Sequence, residues 1–261
     1  MAEVAFITGA AGGLGQALCR RFGESGYRVI GLDRVGLDHV QGAARCEAFV
    51  EADLEALCAS PEGLASVLER IRGLVSTMTK QEGGDKQDRG LAVLVNNAAC
   101  QVLGPVEALS IADWQRSLHV NLLAPFLLTQ GLLSELMGAR GSVINITSVH
   151  VKVTKPGFCC YATSKAALEG MTRSMATELG TRIRVNAIAP AAFATPMLEA
   201  GFAGRDEALR HLGEMHPVGR IGQPEEIAEC ALFLASPRAG FINGAVLRVD
   251  GGISNRLHDP L

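Results

Sequence analysis

The sequence of 261 residues lacks the patterns that mark metal proteins and nucleic-acid-binding proteins. It has no CxxC pair and no histidine cluster, so no metal site is expected, and its seven scattered cysteines are expected to be reduced and mostly buried. It has no long run of Lys or Arg, and a net charge of −3 gives little attraction for nucleic acid or an anionic membrane surface. We therefore expect small-molecule partners.

Long apolar runs are missing as well. The longest, such as 122–133, contain proline or polar residues and fall short of the ~20 residues that span a bilayer. The start, Met-Ala-Glu, has no basic region, and glycines interrupt the apolar stretch 4–18, so no export signal is expected. The default expectation is a cytoplasmic protein.

Short apolar runs bounded by turn residues are present and predict buried strands at 4–8, 28–32, 46–50, 91–95, 142–146, 183–188 and 245–249. Helical spacing between them predicts helices at 15–25, 60–80, 110–137, 161–180 and 224–235. This alternation predicts an α/β fold, a Rossmann-type doubly wound parallel sheet of about seven strands with helices on both faces. Ligands bind such sheets at the carboxyl ends of the strands, so functional residues are expected in the β-to-α loops.

We expect one domain over residues 1–261. The charged and glycine-rich stretch 79–90 is interpreted as an exposed loop, because a domain boundary there would leave neither side with a complete sheet. The segment 191–217 is too long for a minimal connection and is expected to form a lid over the site.

The sequence TGAAGGLG at 8–15 follows the first strand and leads directly into a helix. Missing Cβ atoms let the backbone approach a pyrophosphate, and the helix N-terminus supplies N–H groups and a partial positive charge. A P-loop is excluded because no Gly-Lys-Ser/Thr follows. A turn without a ligand is the alternative. The expected cofactor contacts are Thr8, Gly9, Gly13, Leu14 and Gly15.

The second strand ends at Asp33, close to the ~20-residue offset at which an acidic side chain meets the adenosine ribose. A carboxylate there would repel the 2′-phosphate of NADP, which favours NAD as cofactor. Arg34 could instead pair with that phosphate, so both residues belong to the expected cofactor site.

Tyr161 and Lys165 lie one turn apart on one face of a predicted helix. A phenol ionises near pH ~10, so proton transfer at neutral pH needs its anion stabilised, which a neighbouring ammonium can do. Ser148 follows the fifth strand and can donate to a substrate oxygen. Asn121 stands among apolar residues in the 110–137 helix and needs hydrogen-bond partners.

Together these residues resemble the single-domain branch of the short-chain dehydrogenase/reductase family. The resemblance covers 4–252 and adds motifs in order along the chain: Asp53-Leu54, NNAA at 96–99, VNAIAP at 185–190, TPM at 195–197 and VDGG at 249–252. It implies that Asp53 and Leu54 line the adenine pocket and that Asn97 lies near the adenosine ribose. It also implies cofactor contacts at Ala98, Ala99, Tyr161, Lys165, Pro190, Phe193 and Thr195. The family commonly has glycine at the positions of Ala99 and Ala191.

The resemblance implies an NAD-dependent oxidoreductase that transfers a hydride between a nicotinamide and a secondary alcohol or ketone, such as a polyol, sugar or hydroxy acid. It makes Tyr161 the acid/base, with Ser148 holding the substrate oxygen. Lys165 would bind the nicotinamide ribose and lower the tyrosine pKa, and Asn121 would support a water relay. An NADPH-dependent ketone or 3-oxoacyl-thioester reductase and a non-catalytic NAD-binding regulator are the alternatives.

Substrate contacts are expected from His150, Phe158 and Met197, with Val149, Phe193 and Leu198 making the pocket mainly apolar. His150 could bond a second hydroxyl or a carboxylate of the substrate. His211 and His216 are expected at the surface, and Cys159 and Cys160 in the pocket lining. The family resemblance also implies a homotetramer, or a dimer, formed through the helices at 110–137 and 161–180.

Overall fold

The computed structural model describes residues 3–35, 46–80 and 90–257. Its seven strands form one sheet in the order β3-β2-β1-β4-β5-β6-β7, and each neighbouring pair is parallel. The strands are β1 (Val4–Thr8), β2 (Arg28–Asp33), β3 (Ala48–Glu51), β4 (Leu91–Asn96), β5 (Ser142–Ile146), β6 (Arg184–Pro190) and β7 (Val246–Val249). The predicted doubly wound sheet is confirmed.

Ten α-helices occur in the described residues, seven of them in or near the five predicted helical segments. They are α1 (Gly13–Glu24), α2 (Leu54–Ala59), α3 (Pro61–Lys80), α4 (Ile111–Leu118), α5 (Ala124–Gly131), α6 (Leu133–Gly138), α7 (Cys159–Leu179), α8 (Pro196–Gly201), α9 (Asp206–Met215) and α10 (Pro224–Ala235). None of the helices in the described ranges is long and apolar enough to cross a membrane.

Side chains alternate between the two faces of the sheet. In β1, Val4 and Phe6 point to a core shared with α2, α3, α5, α6 and α7, whereas Ala5 and Ile7 point to a core shared with α1 and α10. All four residues are completely buried. Burial on both faces explains why the strands appear in the sequence as continuous apolar runs.

The predicted helix at 110–137 is interrupted. Ser110 caps α4 in a capping box with Asp113, and a π-helical turn, His119–Leu123, then separates α4 from α5. Pro125 lacks the N–H that would bond the carbonyl of Asn121 in an α-helix, so the α pattern cannot continue through this turn.

Two predicted loop segments have different outcomes. Residues 81–89 of the expected loop 79–90 lie outside the described residues, and Thr79 and Lys80 still belong to α3. The expected lid segment, 191–217, contains α8 and α9, which the sequence analysis did not predict.

Candidate active site

The glycine-rich turn after β1 is packed too closely for side chains. Gly9 has a φ of +67°, and a Cβ there would lie 2.8 Å from the Cα of Ala98. A Cβ on Gly15 would lie 1.9 Å from the Gly9 carbonyl oxygen. Gly12, the N-cap of α1, makes no side-chain hydrogen bond to the helix N-terminus. The turn therefore leaves helix N–H groups available to an anion, which fits a dinucleotide pyrophosphate.

Two polar side chains hold this turn against the end of β4. The Thr8 hydroxyl accepts from the backbone N–H groups of Asn97 and Ala98, each at 3.1 Å. The amide nitrogen of Asn97 donates to the carbonyls of Thr8 at 2.9 Å and Gly9 at 3.1 Å. Thr8 and Asn97 were expected to contact the cofactor directly. In the structure their side chains hold the backbone of the turn against the end of β4. Their signal in the sequence is a polar residue at the carboxyl end of two neighbouring strands.

Asp33 ends β2 beside the same turn. One carboxylate oxygen accepts from the Ala11 N–H at 3.0 Å, and the other accepts from the Arg34 N–H at 2.7 Å. Asp33 is half-buried and the Arg34 side chain is exposed. The fixed negative charge therefore lies against the turn, and the arginine lies outside it.

Of three further expected cofactor residues, Thr195 lies at the glycine-rich turn, whereas Asp53 and Leu54 lie at the start of α2. A Cβ on Gly13 would lie 3.0 Å from the Thr195 Cγ2, so Thr195 reaches the glycine-rich turn. Asp53, in contrast, is exposed and caps α2 by accepting from a backbone N–H, and Leu54 packs in the core with only 6% exposure. The Leu54 side chain packs in the core beneath β3, and its expected contact with adenine stays a prediction.

Three more predicted cofactor positions lie along the same end of the sheet. Ala99 is exposed after β4, and Pro190 is the last residue of β6. Phe193 pairs by a parallel bridge with Gly222, which fixes the start of the 191–217 segment.

Ser148 and Tyr161 come together at the carboxyl end of β5. Ser148 lies two residues beyond the strand and is 6% exposed, and Tyr161 lies in the first turn of α7. Burial raises the pKa of the Tyr161 phenol, and a hydrogen bond with the Ser148 side chain lowers it in part. The two hydroxyls can therefore bind the same substrate oxygen.

Lys165 is 1% exposed, and its ammonium donates to the Ile146 carbonyl at 2.8 Å. Burial lowers the pKa of the lysine from 10.5 to about 8. Its Nζ lies 5.8 Å from the centre of the Tyr161 ring. The predicted proximity of the two side chains is present, and the bond to β5 holds the ammonium at the end of the sheet.

Asn121 is completely buried in the π-helical turn. Its side-chain oxygen accepts from the Cys100 N–H at 2.8 Å, and its nitrogen donates to the Cys100 carbonyl at 2.8 Å. The nitrogen also donates to the Ser164 hydroxyl at 2.9 Å, which in turn donates to the Tyr161 carbonyl at 2.8 Å. The expectation that Asn121 needs hydrogen-bond partners is confirmed, and through them the side chain fixes the loop after β4 against α7. The sequence analysis did not identify these partners, Cys100 and Ser164.

His150 lies next to the Ser148–Tyr161 pair. Its ring stacks on Phe158 with centres 4.2 Å apart and faces the Tyr161 ring edge-on at 6.0 Å. Burial, with the nearby charge of Lys155, lowers the pKa of the imidazole to about 4, so it is neutral at pH 7. His150 and Phe158 are thus brought to the site, and Val149 precedes them in the same loop. The side chain of Met197 lies outside the described part of the structure.

Two expectations about polar residues are wrong or only partly right. His211 is exposed as expected, but His216 is 2% exposed, because its Nδ1 bonds the Leu212 carbonyl and its ring packs against Gly251. The seven cysteines are free, yet only Cys19 and Cys160 are buried, Cys159 is exposed, and the others are half-buried. Within the described ranges, no three His, Cys, Asp or Glu side chains could hold a metal ion together.

Comparison with known proteins extends over nearly the whole chain. The model of a family described as enoyl-(acyl carrier protein) reductase matches residues 9–254. A 3beta-hydroxysteroid dehydrogenase of Eggerthella lenta is 34% identical over 251 residues, covering 95% of this chain and 92% of the relative. A 3-oxoacyl-(acyl-carrier-protein) reductase of Thermotoga maritima is 33% identical over 264 residues, covering 96% of this chain and 97% of the relative.

A solved structure gives the same result for the fold. The ligand-free aldohexose dehydrogenase of Thermoplasma acidophilum superposes with a TM-score of 0.86 at 30% identity, covering 100% of this chain and 97% of the other. The resemblance drawn from the motifs is therefore confirmed: the chain belongs to the short-chain dehydrogenase/reductase family and is an oxidoreductase that acts on CH–OH groups.

Proposed function

We propose that this protein is an NAD-dependent oxidoreductase that interconverts a secondary alcohol and a ketone, with Tyr161 as the acid/base. The observation that carries the proposal is the arrangement of Ser148, Tyr161 and Lys165 at the carboxyl end of the sheet that also carries the glycine-rich turn. A polyol, a sugar or a hydroxy acid is the proposed substrate class.

The turn at 8–15, the N-terminus of α1, Asp33 and Thr195 would hold the dinucleotide. The close-packed glycines and the uncapped N–H groups fit a pyrophosphate, and the Asp33 carboxylate fits ribose hydroxyls. The same carboxylate disfavours a 2′-phosphate, which is the reason for proposing NAD. When bound, the nicotinamide supplies the acceptor or donor of the hydride.

The proton steps follow from the surroundings of Tyr161. Its raised pKa keeps the phenol protonated at pH 7, so it can donate a proton to the oxygen of a ketone. In the direction of alcohol oxidation, the Tyr161 side chain must be ionised, and this tyrosinate takes the proton of the alcohol. Lys165, with a pKa of about 8, is mostly charged at pH 7 and favours the tyrosinate. The Ser148 hydroxyl orients the substrate oxygen toward the phenol.

Substrate selection is assigned to the loop after Ser148 and to the 191–217 segment, which we propose acts as a lid. The neutral His150 ring, stacked on Phe158, offers one hydrogen-bonding nitrogen besides Nδ1, which contacts the Thr154 hydroxyl at 3.1 Å. A second hydroxyl or a carboxylate of the substrate can use that nitrogen. Phe158 supplies the apolar wall.

A second candidate function is an NADPH-dependent 3-oxoacyl-thioester or ketone reductase. The exposed Arg34 next to Asp33 favours it, because the guanidinium can turn to a 2′-phosphate. The Thermotoga maritima relative is a reductase of this kind by name. A non-catalytic NAD-binding regulator is a third possibility, against which the retained Ser148, Tyr161 and Lys165 argue.

We also propose that the chain is a homo-oligomer, a tetramer or a dimer. Apolar side chains on α5 and α6 remain accessible, among them Phe126 at 37% and Met137 at 39%. Association through these helices would bury them. Light scattering at micromolar concentration is expected to show an oligomer, and a monomer would contradict the proposal.

The first experiment compares binding of NADH and NADPH by energy transfer from Trp114, the single tryptophan. Turnover of a panel of polyols, sugars and hydroxy acids is then assayed with the preferred cofactor.

The second experiment tests the acid/base. Tyr161→Phe is expected to bind NADH and to lose turnover. Tyr27→Phe, which alters the chain's other tyrosine, is the matched control and should remain active, because Tyr27 is half-buried against Phe22. Wild-type activity in Tyr161→Phe would refute the mechanism, and tighter binding of NADPH would favour the reductase.

A further inference from the structure

Two cysteines lie together behind the glycine-rich turn. Cys19, in α1, is completely buried, and Cys46, just before β3, is half-buried. Their sulfur atoms are 3.4 Å apart and hydrogen-bonded. The two residues are distant in the sequence, and the packing of α1 against the sheet brings their sulfur atoms together.

The pair adjoins the proposed cofactor site. A Cβ on Gly31 would lie 2.7 Å from the Cys46 Sγ and 2.9 Å from the Ala10 Cβ, so the sulfur and the Ala10 methyl pack over the same residue of β2. That strand ends at Asp33, and Ala10 belongs to the turn itself. The Cys46 sulfur is therefore part of the packing that supports both the turn and β2.

The two thiols differ in reactivity. The hydrogen bond with Cys19 lowers the pKa of the Cys46 thiol, which is also the more accessible of the two. The same bond, together with burial, raises the pKa of Cys19. Because the half-buried Cys46 is more accessible to peroxide than the completely buried Cys19, we assign Cys46 as the attacking thiol and Cys19 as the resolving thiol.

We propose that Cys19 and Cys46 are a disulfide-forming site, closed by peroxide and reopened by a thiol reductant, whose closure weakens dinucleotide binding at the adjoining turn. The Cys46 thiol gives up its proton, the thiolate attacks one oxygen of the peroxide, and the O–O bond of the peroxide breaks. A sulfenic acid forms, and the departing hydroxide takes up the proton to leave as one water. The Cys19 thiol attacks the Cys46 sulfur, the S–S bond forms, and the second water leaves. The two thiols lose two electrons, and the peroxide takes them up.

Closure changes the geometry of the turn. A disulfide holds its sulfurs about 2.05 Å apart, so the pair must approach by ~1.4 Å from its present separation. The buried position of Cys19 offers little free space for this approach. Displacements of about 1 Å at a binding or reaction site are large enough to change its performance strongly. The effect on dinucleotide binding rests on the proposed function, whereas the disulfide itself does not.

The experiment treats the full-length protein with hydrogen peroxide, alkylates the free thiols and maps the peptides. Trypsin leaves Cys19 on residues 1–20 and both Cys46 and Cys58 on residues 46–70, and a glutamyl endopeptidase then separates Cys46 from Cys58 by cleaving after Glu47. We expect a peptide pair linked through Cys19 and Cys46 that disappears with dithiothreitol.

NADH titrations of the same samples test the consequence. Oxidised wild type is expected to bind NADH about tenfold more weakly, with recovery on reduction. Cys46→Ser should not respond to peroxide, and Cys58→Ser, which removes another half-buried thiol on the same tryptic peptide, should respond as wild type does. Mapping of the wild type needs no variant, so the proposal is tested even where Cys46→Ser does not fold.

The outcomes separate the two proposals. Oxidation of the exposed Cys159 without a Cys19–Cys46 link would overturn the disulfide site. A link that leaves NADH affinity unchanged would overturn its effect on binding. Failure of the reduced protein to bind either NADH or NADPH contradicts the proposed function, and the peptide map still decides on the disulfide.

Discussion

The buried ammonium of Lys165 is expected to destabilise the protein at neutral pH, so Lys165→Met should gain stability while it loses activity. Methionine has a similar length and no charge, and it fits a buried position. Turnover is expected to fall at least about 100-fold, because the tyrosinate loses its neighbouring cation. A residue kept at the expense of stability is expected at an active site.

The magnitude follows from the lysine's surroundings. A pKa that falls from 10.5 to about 8 on burial corresponds to about 3 kcal/mol of unfavourable free energy for the charged folded state. The substitution also removes the donor to the Ile146 carbonyl, which costs about 1–2 kcal/mol. The variant should therefore be more stable than wild type by about 1–2 kcal/mol at pH 7, or about 5 °C in Tm.

The pH dependence provides the decisive test. At pH 7 the lysine is charged in both the folded and the unfolded chain, so the full penalty applies. Between the folded pKa of about 8 and the ordinary lysine pKa of 10.5, the unfolded chain binds a proton that the folded protein has lost, and wild-type stability rises with pH relative to the variant. By pH 10 less than about 1 kcal/mol of the penalty remains, and the advantage of the variant should be gone.

The assay is urea or thermal denaturation of wild type and variant at pH 7 and pH 10, without cofactor. Lys152→Met, which alters an exposed lysine of the neighbouring loop, is the control for removing a charge. A Lys165→Met variant that is less stable than wild type at pH 7 would refute the reasoning. So would an advantage that is the same at both pH values.

Three further predictions concern the turn and its supports. Asp33→Asn keeps an acceptor for the turn and removes the charge, so the ratio of NADPH to NADH affinity should rise about tenfold in fluorescence titrations; an unchanged ratio would remove Asp33 as selector. Gly15→Ala places a Cβ 1.9 Å from a backbone oxygen and should abolish NADH binding, whereas Gly12→Ala, with its nearest atom at 3.4 Å, should retain it; equal affinities would contradict the packing argument. Asn121→Leu leaves both backbone groups of Cys100 without their partner and should lower the free energy of unfolding by about 2–5 kcal/mol in urea, and a loss below about 1 kcal/mol would mean that the loop finds other partners.

The strands and the turn could be predicted because local sequence determines them. The predicted spans 4–8 and 142–146 coincide with β1 and β5, whose residues are buried on both faces; Gly9 follows β1 and Gly141 precedes β5. The sequence of the turn at 8–15 predicts its close packing at Gly9 and Gly15, where the neighbouring backbone leaves no room for a side chain.

The remaining features depend on contacts between distant parts of the chain. His216 is buried because its ring meets Gly251, and Leu54 is buried because the core beneath β3 receives it. The π-helical turn had a local signal in Pro125, but the partner of Asn121 on Cys100 comes from a different loop. Periodicity describes one element at a time, so it cannot assign such partners.

The order of the strands explains why the proposed site forms where it does. The chain places β1 and β4 side by side at the centre, with β2 and β3 on one side and β5, β6 and β7 on the other. A crevice opens at the carboxyl ends where the strand order reverses, and this is the general binding position of doubly wound sheets. Hydrogen bonds between Thr8 and Asn97 join the carboxyl ends of the two central strands. The loop after β4 is joined through Asn121 to α7, which carries Tyr161 and Lys165. The turn and the proton-transferring side chains are thus connected through the loop after β4, whose residues Asn97 and Cys100 are hydrogen-bonded to Thr8 and Asn121. A change at Asn97 or Asn121 should therefore alter cofactor binding and turnover together.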